Sequence, residues 1–280
     1  MLNRRALMGA IGATMSFLLS GFARKAGAEQ TPQVRVDVSV CFDSGTLLWV
    51  PFRASGLPEG LWLRPLRRLD DGSLRSAVVR IPAGWASGGD LRLAARLQLY
   101  VLSGELTFGA RRLGPNAYLN YAADSVMPVF GTDDGAEFLL VCDGPPAFSS
   151  IQGPAVDDGI IIENAAAGFQ VRTTDVVPSG IKGRNLWEDK ATGATMALLQ
   201  VPPGWESPGP EYHPCNEEIF CVSGDIAPDD IRILQAGWFL WNPAYGVHGF
   251  HLHSTAGGIV LEWHDAAWAK HIYQAEPTTV

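Results

Sequence analysis

The chain has 280 residues, and its hydrophobic content of 47% is enough for one large packed domain or two small ones. It contains 29 acidic and 21 basic residues, a formal net charge of −8. Such an acidic surface excludes nucleic acid as an expected partner, because it repels the phosphate backbone.

The first 28 residues predict an export signal. Arg4 and Arg5 precede a modestly apolar run at 6–23, and a second basic pair leads into Ala-Gly-Ala at 26–28, a small-x-small cleavage pattern. The segment resembles a twin-arginine (Tat) signal peptide, which implies a periplasmic or secreted protein exported in the folded state. A membrane anchor is the alternative, although the run is short for one. After cleavage, the remaining 17 basic and 29 acidic residues give −12, and we expect no stable membrane insertion.

The body of the chain predicts an all-β protein. Short apolar strands alternate with turns, and helical periodicity is nearly absent, which favours an antiparallel sandwich or barrel. The predicted strands are 77–81, 97–102, 137–142, 196–201, 218–222, 237–241 and 258–263.

An internal repeat divides these strands into two sets. Residues 78–87 mirror 198–207, and residues 100–106 mirror 220–226, both at an offset of 120. We therefore predict a duplicated domain, with one copy at 29–143 and the other at 160–280. The stretch 144–159, rich in Gly, Pro, Ser and Asp, is the predicted linker.

The second copy contains a cluster of ligand-type side chains. Glu211 and His213 lie on one face of an extended segment, and a tight turn would bring Glu217 back beside His213. The spacing Glu211-x-His213-x3-Glu217-x6-Gly224 resembles the first motif of the cupin superfamily, G-x5-H-x-H-x3,4-E-x6-G, with Glu211 in place of the first histidine.

The second cupin motif, G-x5-P-x-G-x2-H, has a counterpart further along the chain. Gly237-x5-Pro243 is followed by His248 at the family spacing, although the inner glycine falls one position late, at Gly246. With its duplication, the chain is similar to ChrR-like cupins and related uncharacterised bicupins. This implies two double-stranded β-helix (jelly-roll) barrels.

The resemblance also implies a metal site. Its ligands would be His213, Glu217 and His248, with Glu211 as a fourth ligand, a hydrogen-bond partner of a ligand, or a catalytic base. Two imidazoles with carboxylates suit one divalent transition metal per chain, with Fe(II) favoured and Zn, Mn or Ni as alternatives.

The first copy lacks these ligands. The offset places Leu91, Leu93 and Leu97 at the positions of Glu211, His213 and Glu217, and alignment of the second motif places Met127 at His248. We expect a metal-free, apolar N-terminal barrel, which leaves a hydrophobic ligand pocket there as an alternative.

Other side chains near the motifs have open roles. His251 and His253 point away from His248 unless Gly249 forms a bulge, and His264 is expected at the surface or rim. Six aromatics either line a pocket or fill the core, and the four cysteines allow three disulfide pairings. The aromatics are Trp205, Phe220, Phe239, Trp241, Tyr245 and Phe250, and the cysteines are Cys41, Cys142, Cys215 and Cys221.

The leading functional hypothesis is a metal-dependent bicupin enzyme of the dioxygenase type. It would act in the periplasm on a small organic substrate, such as an aromatic or dicarbonyl compound. The alternative is a non-catalytic, metal-dependent sensor or small-molecule-binding cupin. The sequence leaves open whether the protein forms a homo-oligomer.

Overall fold

The structure is a computed structural model that describes residues 33–36, 38–151, 159–171 and 180–274. The predicted signal peptide at 1–28 lies outside the described residues. Within them, the regular structure consists of β-strands and one 3-10 turn at Ser44–Thr46, which confirms the all-β prediction. No helix in this part of the chain has the length and apolar character needed to cross a membrane.

The strands are short and numerous, as the glycine and proline content suggests. The first half contains β1 (Arg35–Val36), β2 (Val40–Asp43), β3 (Val50–Pro51), β4 (Trp62–Arg68), β5 (Leu74–Ile81), β6 (Leu91–Leu93), β7 (Leu97–Gly104), β8 (Leu106–Phe108), β9 (Arg111–Leu113), β10 (Tyr118–Tyr121), β11 (Val126–Met127), β12 (Phe130–Gly131), β13 (Ala136–Cys142) and β14 (Phe148–Ser150). The second half contains β15 (Ile160–Ile162), β16 (Gln170–Val171), β17 (Lys182–Glu188), β18 (Thr195–Val201), β19 (Trp205–Glu206), β20 (Glu211–Tyr212), β21 (Glu217–Ile226), β22 (Leu234–Gln235), β23 (Trp238–Asn242), β24 (Gly246–Val247), β25 (His253–Ser254), β26 (Gly258–His264) and β27 (His271–Ile272).

Two large antiparallel sheets organise the described residues. The first has the order β15-β10-β7-β13-β5-β4-β3, and the second has the order β16-β17-β18-β26-β21-β23-β2 with β22 on β21. Smaller sheets complete each half, among them β11-β6-β14 in the first and β20-β27 in the second. This arrangement repeats the same set of strand pairs in both halves.

The duplication is visible in the strand register. Gly104 pairs with Ala136 between β7 and β13, just as Gly224 pairs with Gly258 between β21 and β26. Both Gly104 and Gly224 have a positive φ, 73° and 74°. A Cβ at either position would collide with a backbone carbonyl of the neighbouring turn, so glycine is required to close this strand.

Each half also lends a strand to the other sheet. β2, near the start of the chain, pairs with β23 of the second sheet, whereas β15 pairs with β10 of the first sheet. β14 falls inside the predicted linker and pairs with β6. The chain segments at 29–143 and 160–280 therefore exchange edge strands, and their separation into two domains stays a prediction.

The two sheets share an apolar core that contains residues of both halves, such as Leu139 and Phe220. A buried ion pair lies beside it. The Glu218 carboxylate, whose side chain is 2% exposed, accepts from Arg67 Nη1 at 2.7 Å and from Ser76 Oγ at 2.7 Å. This pairing satisfies a buried charge and fixes the second half against the first.

Candidate metal centre and cavity

The four predicted ligands converge inside the second half. Glu211 begins β20, Glu217 begins β21, and His248 directly follows β24. The backbones of Glu211 and His248 exchange two N–H···O bonds of 2.9 Å, which brings the two motifs together. All four side chains are buried, and the rings of His213 and His248 lie 4.9 Å apart between centroids.

Glu217 lies between the two imidazoles. Its Oε2 is 3.3 Å from His248 Nε2, and its Oε1 is 3.7 Å from His213 Nε2. Glu211 Oε1 is 3.9 Å from His213 Nε2. Glu211, His213 and His248 each offer a ligand atom within 4.8 Å of the other two, and the Glu217 carboxylate contacts both imidazoles of this group.

The tautomers of both histidines suit metal binding. His213 Nδ1 donates to Ala269 O at 3.0 Å, and His248 Nδ1 donates to Gly246 O at 2.9 Å. Because the carbonyls can only accept, each Nε2 is left with a free lone pair. Both Nε2 atoms are buried and have no hydrogen-bond partner in the described part of the chain. Buried, unpartnered imidazole nitrogens held by carbonyls are the arrangement that metal-ligating histidines show.

The pKa shifts of Glu217 and His213 favour the forms that bind a cation. Burial raises the pKa of Glu217, but the nearby imidazoles of His248, His264 and His213 outweigh it and hold the pKa below its usual value. Burial lowers the pKa of His213, partly opposed by the charge of Glu217. An ionised carboxylate and a neutral imidazole are the forms that bind a cation.

His264 was predicted at the surface or rim, and the surface position is wrong. It is 5% exposed, and its Nε2 lies 3.4 Å from Glu217 Oε1. β26 alternates Val260, Glu262 and His264 on its inner face, and His264 pairs directly with Glu217 at the end of the strand. Strand ends in this barrel meet at the site, so the end of β26 is buried there and not exposed.

Glu217, Glu262 and His264 form a second group whose ligand atoms lie within 4.8 Å of one another. Burial lowers the pKa of His264, but its hydrogen bond to Glu217 and the charge of Glu262 outweigh that effect and raise it. Thr195 Oγ1 lies 2.9 Å from His264 Nδ1 and fixes the ring on its other side. Glu262 and His264 are two residues apart in an otherwise apolar strand, and this spacing is the sequence signal that predicts a shared polar face.

Two further polar groups were missed. The ammonium of Lys270, whose side chain is 6% exposed, contacts Glu211 Oε2 as an ion pair. The Trp268 ring lies 4.9 Å from the His213 ring, and its Nε1 is buried without a hydrogen-bond partner among the described residues. Both belong to the segment around β27, which pairs with β20.

The polar cluster opens into a cavity of about 250 Å³. Its floor is apolar, with Leu199, Ile219 and Val260 among the lining side chains. Trp205 and Trp268 contribute aromatic surface, and Lys270 and Glu262 contribute charge. A concave apolar space with a few convergent polar groups is typical of a small-molecule site.

No protein-family model matches the sequence, and no curated protein has a significant match. Solved structures do match over most of the chain. A candidate dioxygenase from Nostoc punctiforme shares 19% identity over 85% of this chain and 87% of that protein, with a TM-score of 0.76. This chain has the bicupin fold.

Two other neighbours cover comparable spans of this chain. A candidate glyoxylate-induced protein from Pseudomonas aeruginosa shares 14% identity over 91% of this chain and 97% of its own, with a TM-score of 0.58. Salicylate 1,2-dioxygenase from Pseudaminobacter salicylatoxidans shares 10% identity over 84% and 88%, with a TM-score of 0.55. At these identities the comparisons establish the fold alone.

In the N-terminal barrel, apolar side chains occupy the positions that correspond to the four candidate ligands. Met127 pairs with Leu91 between β11 and β6, which matches the pairing of His248 with Glu211. Leu91, Leu93, Leu97 and Met127 are all buried in one apolar core. None of the four offers the nitrogen or oxygen donor that a divalent ion requires.

Aromatic rings fill the N-terminal interior. The Phe108 ring lies 5.6 Å from that of Tyr121 and 6.3 Å from that of Phe130. By register, the C-terminal counterparts of Tyr121 and Phe138 are Asn242 and Val260. The smaller side chains at the equivalent positions leave room for the cavity in the C-terminal barrel.

The remaining candidate residues lie away from the four candidate ligands. Gly249 has a φ of +70°, and the chain beyond it places His251 at the surface against Asp230, with the His253 ring 4.5 Å away. Of the six aromatics, Trp205 lines the cavity, whereas Phe220, Phe239 and Trp241 pack between the sheets and Phe250 is exposed. All four cysteines are free thiols.

Proposed function

We propose that the C-terminal barrel of this bicupin holds one divalent transition metal and that the protein is a metal-dependent enzyme of the dioxygenase type. The observation that supports this is the pair of buried Nε2 lone pairs of His213 and His248, which face the Glu217 carboxylate across 3.7 and 3.3 Å. A buried polar atom without a partner costs free energy. A bound cation would remove that cost from both rings at once.

The residues around the proposed metal would have different roles. The metal, when bound, would supply a Lewis acid and, as Fe(II), a centre for reaction with dioxygen. His213 and His248 would hold it with rings fixed by backbone carbonyls, and Glu217 would neutralise its charge. Glu211 directs one oxygen towards His213 while Lys270 contacts the other, so it can act as a ligand or as an acceptor of a substrate proton.

The cavity supports a small organic substrate. A volume of about 250 Å³ accommodates a molecule of one ring, and its apolar floor would exclude water and pack against the substrate body. The fold similarity to salicylate 1,2-dioxygenase, whose structures include a complex with gentisate, supports an aromatic compound by analogy. A dicarbonyl compound is the other substrate class that we propose.

A second candidate function is a non-catalytic, metal-dependent sensor or small-molecule binder. The observation that favours it is Glu211, which stands where the family motif has an imidazole and has one oxygen in contact with Lys270. If Glu211 closes a coordination position that catalysis needs, the cavity would bind its ligand without converting it.

Metal analysis tests the first step. Protein purified from its native host without added metal should contain about one transition metal per chain, and His213→Ala and His248→Ala should each remove it. The matched control is His251→Ala, which removes an exposed imidazole and should retain the metal. Retention of metal by both cavity variants would refute the ligand assignment.

Oxygen uptake separates the two functions. The metal-loaded protein is assayed against phenols, β-diketones and small acids, with product analysis. Uptake with product formation, lost in His248→Ala, supports the enzyme. Ligand binding without uptake or product, with any of Fe, Mn, Zn or Ni, supports the binder instead.

We also propose that the protein acts outside the cytoplasm. The support is the sequence of residues 1–28, with Arg4 and Arg5 before the apolar run. Cell fractionation should find the shortened chain in the periplasm or medium, and the double change Arg4→Lys and Arg5→Lys should retain the full-length chain inside the cell. Export of that variant at the normal level would exclude the twin-arginine route.

A further inference from the structure

The segment around β27 is fixed directly over the metal ligands. β27 pairs with β20, the Tyr273 N–H donates to Pro210 O at 2.9 Å, and Ala269 O accepts the Nδ1 proton of His213. These contacts hold the backbone on both sides of Lys270. The side chains of Trp268 and Lys270 line the cavity. Their positions are therefore set by the same strands that set the ligands.

The N-terminal barrel has apolar residues at the candidate ligand positions, so its residue at the position of Lys270 serves as a comparison. Ser150 pairs with Leu91 in the same way that Ile272 pairs with Glu211, so Phe148 is the counterpart of Lys270. Phe148 is buried in the apolar core of its barrel. Lys270 thus brings an ammonium group to a place where the fold accepts a phenyl ring. Burial of an ammonium is costly unless it has partners, so its presence calls for an anion in the cavity.

Glu211 supplies only part of that partnership. The ammonium of Lys270 has three N–H donors, and one carboxylate oxygen, Glu211 Oε2, contacts it as an ion pair. Glu211 is also a candidate metal ligand, which would draw negative charge away from Lys270. The Trp268 indole adds a buried N–H donor that has no partner in the described ranges. The unpartnered indole N–H of Trp268 and the ammonium of Lys270 therefore lie at the polar end of a cavity whose floor is apolar.

We propose that this cavity binds a small carboxylate with an apolar, one-ring body, and that Lys270 and Trp268 hold its carboxylate beside the metal. The proposal rests on the proposed metal-dependent function and names the class of its substrate. Hydrogen bonds between an ammonium and a carboxylate are among the strong ones, and the indole N–H adds direction. The apolar body would contact the floor around Leu199, Ile219 and Val260.

Three probes of similar shape and different charge test this proposal: benzoate, benzamide and benzylamine. Their binding to the wild-type protein is measured by calorimetry, with the metal loaded and after chelation. Benzoate should bind at least about ten-fold more tightly than benzamide, since a charge-assisted bond is worth more than a neutral one. Equal binding of benzamide, or tighter binding of benzylamine, would overturn the proposal.

Variants assign the selectivity to the two donors. Lys270→Met should weaken benzoate about 10- to 100-fold and leave benzamide within about two-fold. Lys270→Arg should keep most of the preference for benzoate, and Trp268→Phe, which keeps the ring, should weaken benzoate about three- to ten-fold. Lys190→Met is the matched control, because Lys190 is exposed and pairs with Glu188 at the surface; it should change nothing. An unchanged affinity for benzoate in Lys270→Met would refute the assignment.

The preference for benzoate and the metal content together distinguish failure of this proposal from failure of the proposed function. If Lys270→Met unfolds, the double change Lys270→Met and Glu211→Gln removes both charges of the pair and is tested in the same way. Metal content is measured in every sample. Metal-loaded, active protein without a preference for benzoate would refute the proposed carboxylate site but not the metal-dependent function. A Lys270-dependent preference for benzoate in protein that never takes up metal would refute the metal-dependent function and leave the anion site standing.

Discussion

Two consecutive hydrogen bonds join Ser39 to Glu217 through Asn242. We predict that they contribute to the affinity for the proposed metal. Ser39 Oγ donates to Asn242 Oδ1 at 2.6 Å, and Asn242 Nδ2 donates to Glu217 Oε2 at 2.6 Å. Ser39 directly precedes β2, and Asn242 ends β23, the strand that β2 pairs with. These hydrogen bonds therefore link the segment before β2 to the carboxylate of Glu217, a proposed ligand that lies 3.3 Å from His248 Nε2.

Asn242→Leu keeps the size of the side chain and removes the Nδ2 donor to Glu217. A hydrogen bond to a charged group contributes about 1.5–3 kcal/mol, and loss of a partner that orients a metal ligand typically lowers metal affinity about 10- to 100-fold. Ser39→Ala removes a neutral bond one step further away, worth about 1 kcal/mol, so a loss of about five-fold is expected. We therefore predict that Asn242→Leu loses more metal affinity than Ser39→Ala.

The assay is competition with a chelator of known affinity, with the metal-free proteins compared by thermal unfolding. Ser254→Ala is the matched control, since its hydroxyl makes partly buried hydrogen bonds to Asp225 away from the candidate ligands. It should lower the stability and leave the metal affinity unchanged. An Asn242→Leu protein that binds metal as tightly as the wild type would show that Glu217 is not a ligand or is oriented by other groups.

Three further predictions concern the cavity and the barrel. Val260→Phe, which copies Phe138, should fill the cavity, so that metal is retained and small-molecule binding falls at least ten-fold by calorimetry. His264→Ala should weaken metal binding about ten-fold, measured by the same chelator competition, because Glu217 loses a bond to its Oε1. Gly224→Ala should destabilise the protein by about 2 kcal/mol or more in thermal unfolding, whereas Gly204→Ala, also at positive φ but in open space, should cost only about 1 kcal/mol.

The clustering of the candidate ligands was predictable because three of them lie within one short stretch. Glu211, His213 and Glu217 are separated by fixed numbers of residues, and strand parity alone brings the first two to one face. His248 was found by the second motif, and the structure places it against Glu211 through a pair of backbone hydrogen bonds. Local geometry and one long-range strand pair thus account for all four.

The repeat explains what was missed. The offset between the halves is 120 at Leu91 and Glu211, but 121 at Met127 and His248, and 122 at Ser150 and Ile272. Two single-residue insertions accumulate along the second copy, so an offset of 120 places the wrong residues together near its end. Only the strand register shows that Phe148 is the counterpart of Lys270.

The difference between the two barrels gives a physical criterion for the site. At equivalent interior positions the first barrel has Leu97 and Cys142 where the second has Glu217 and His264, and each pair is directly cross-strand. An apolar pair in a barrel core is satisfied by packing, whereas a buried carboxylate beside an imidazole needs further partners. The fold is stable with the first arrangement, so the scaffold does not require the second. The polar residues and the smaller side chains in place of aromatic rings occur in the same barrel. A cavity that binds a cation and a small molecule would require both.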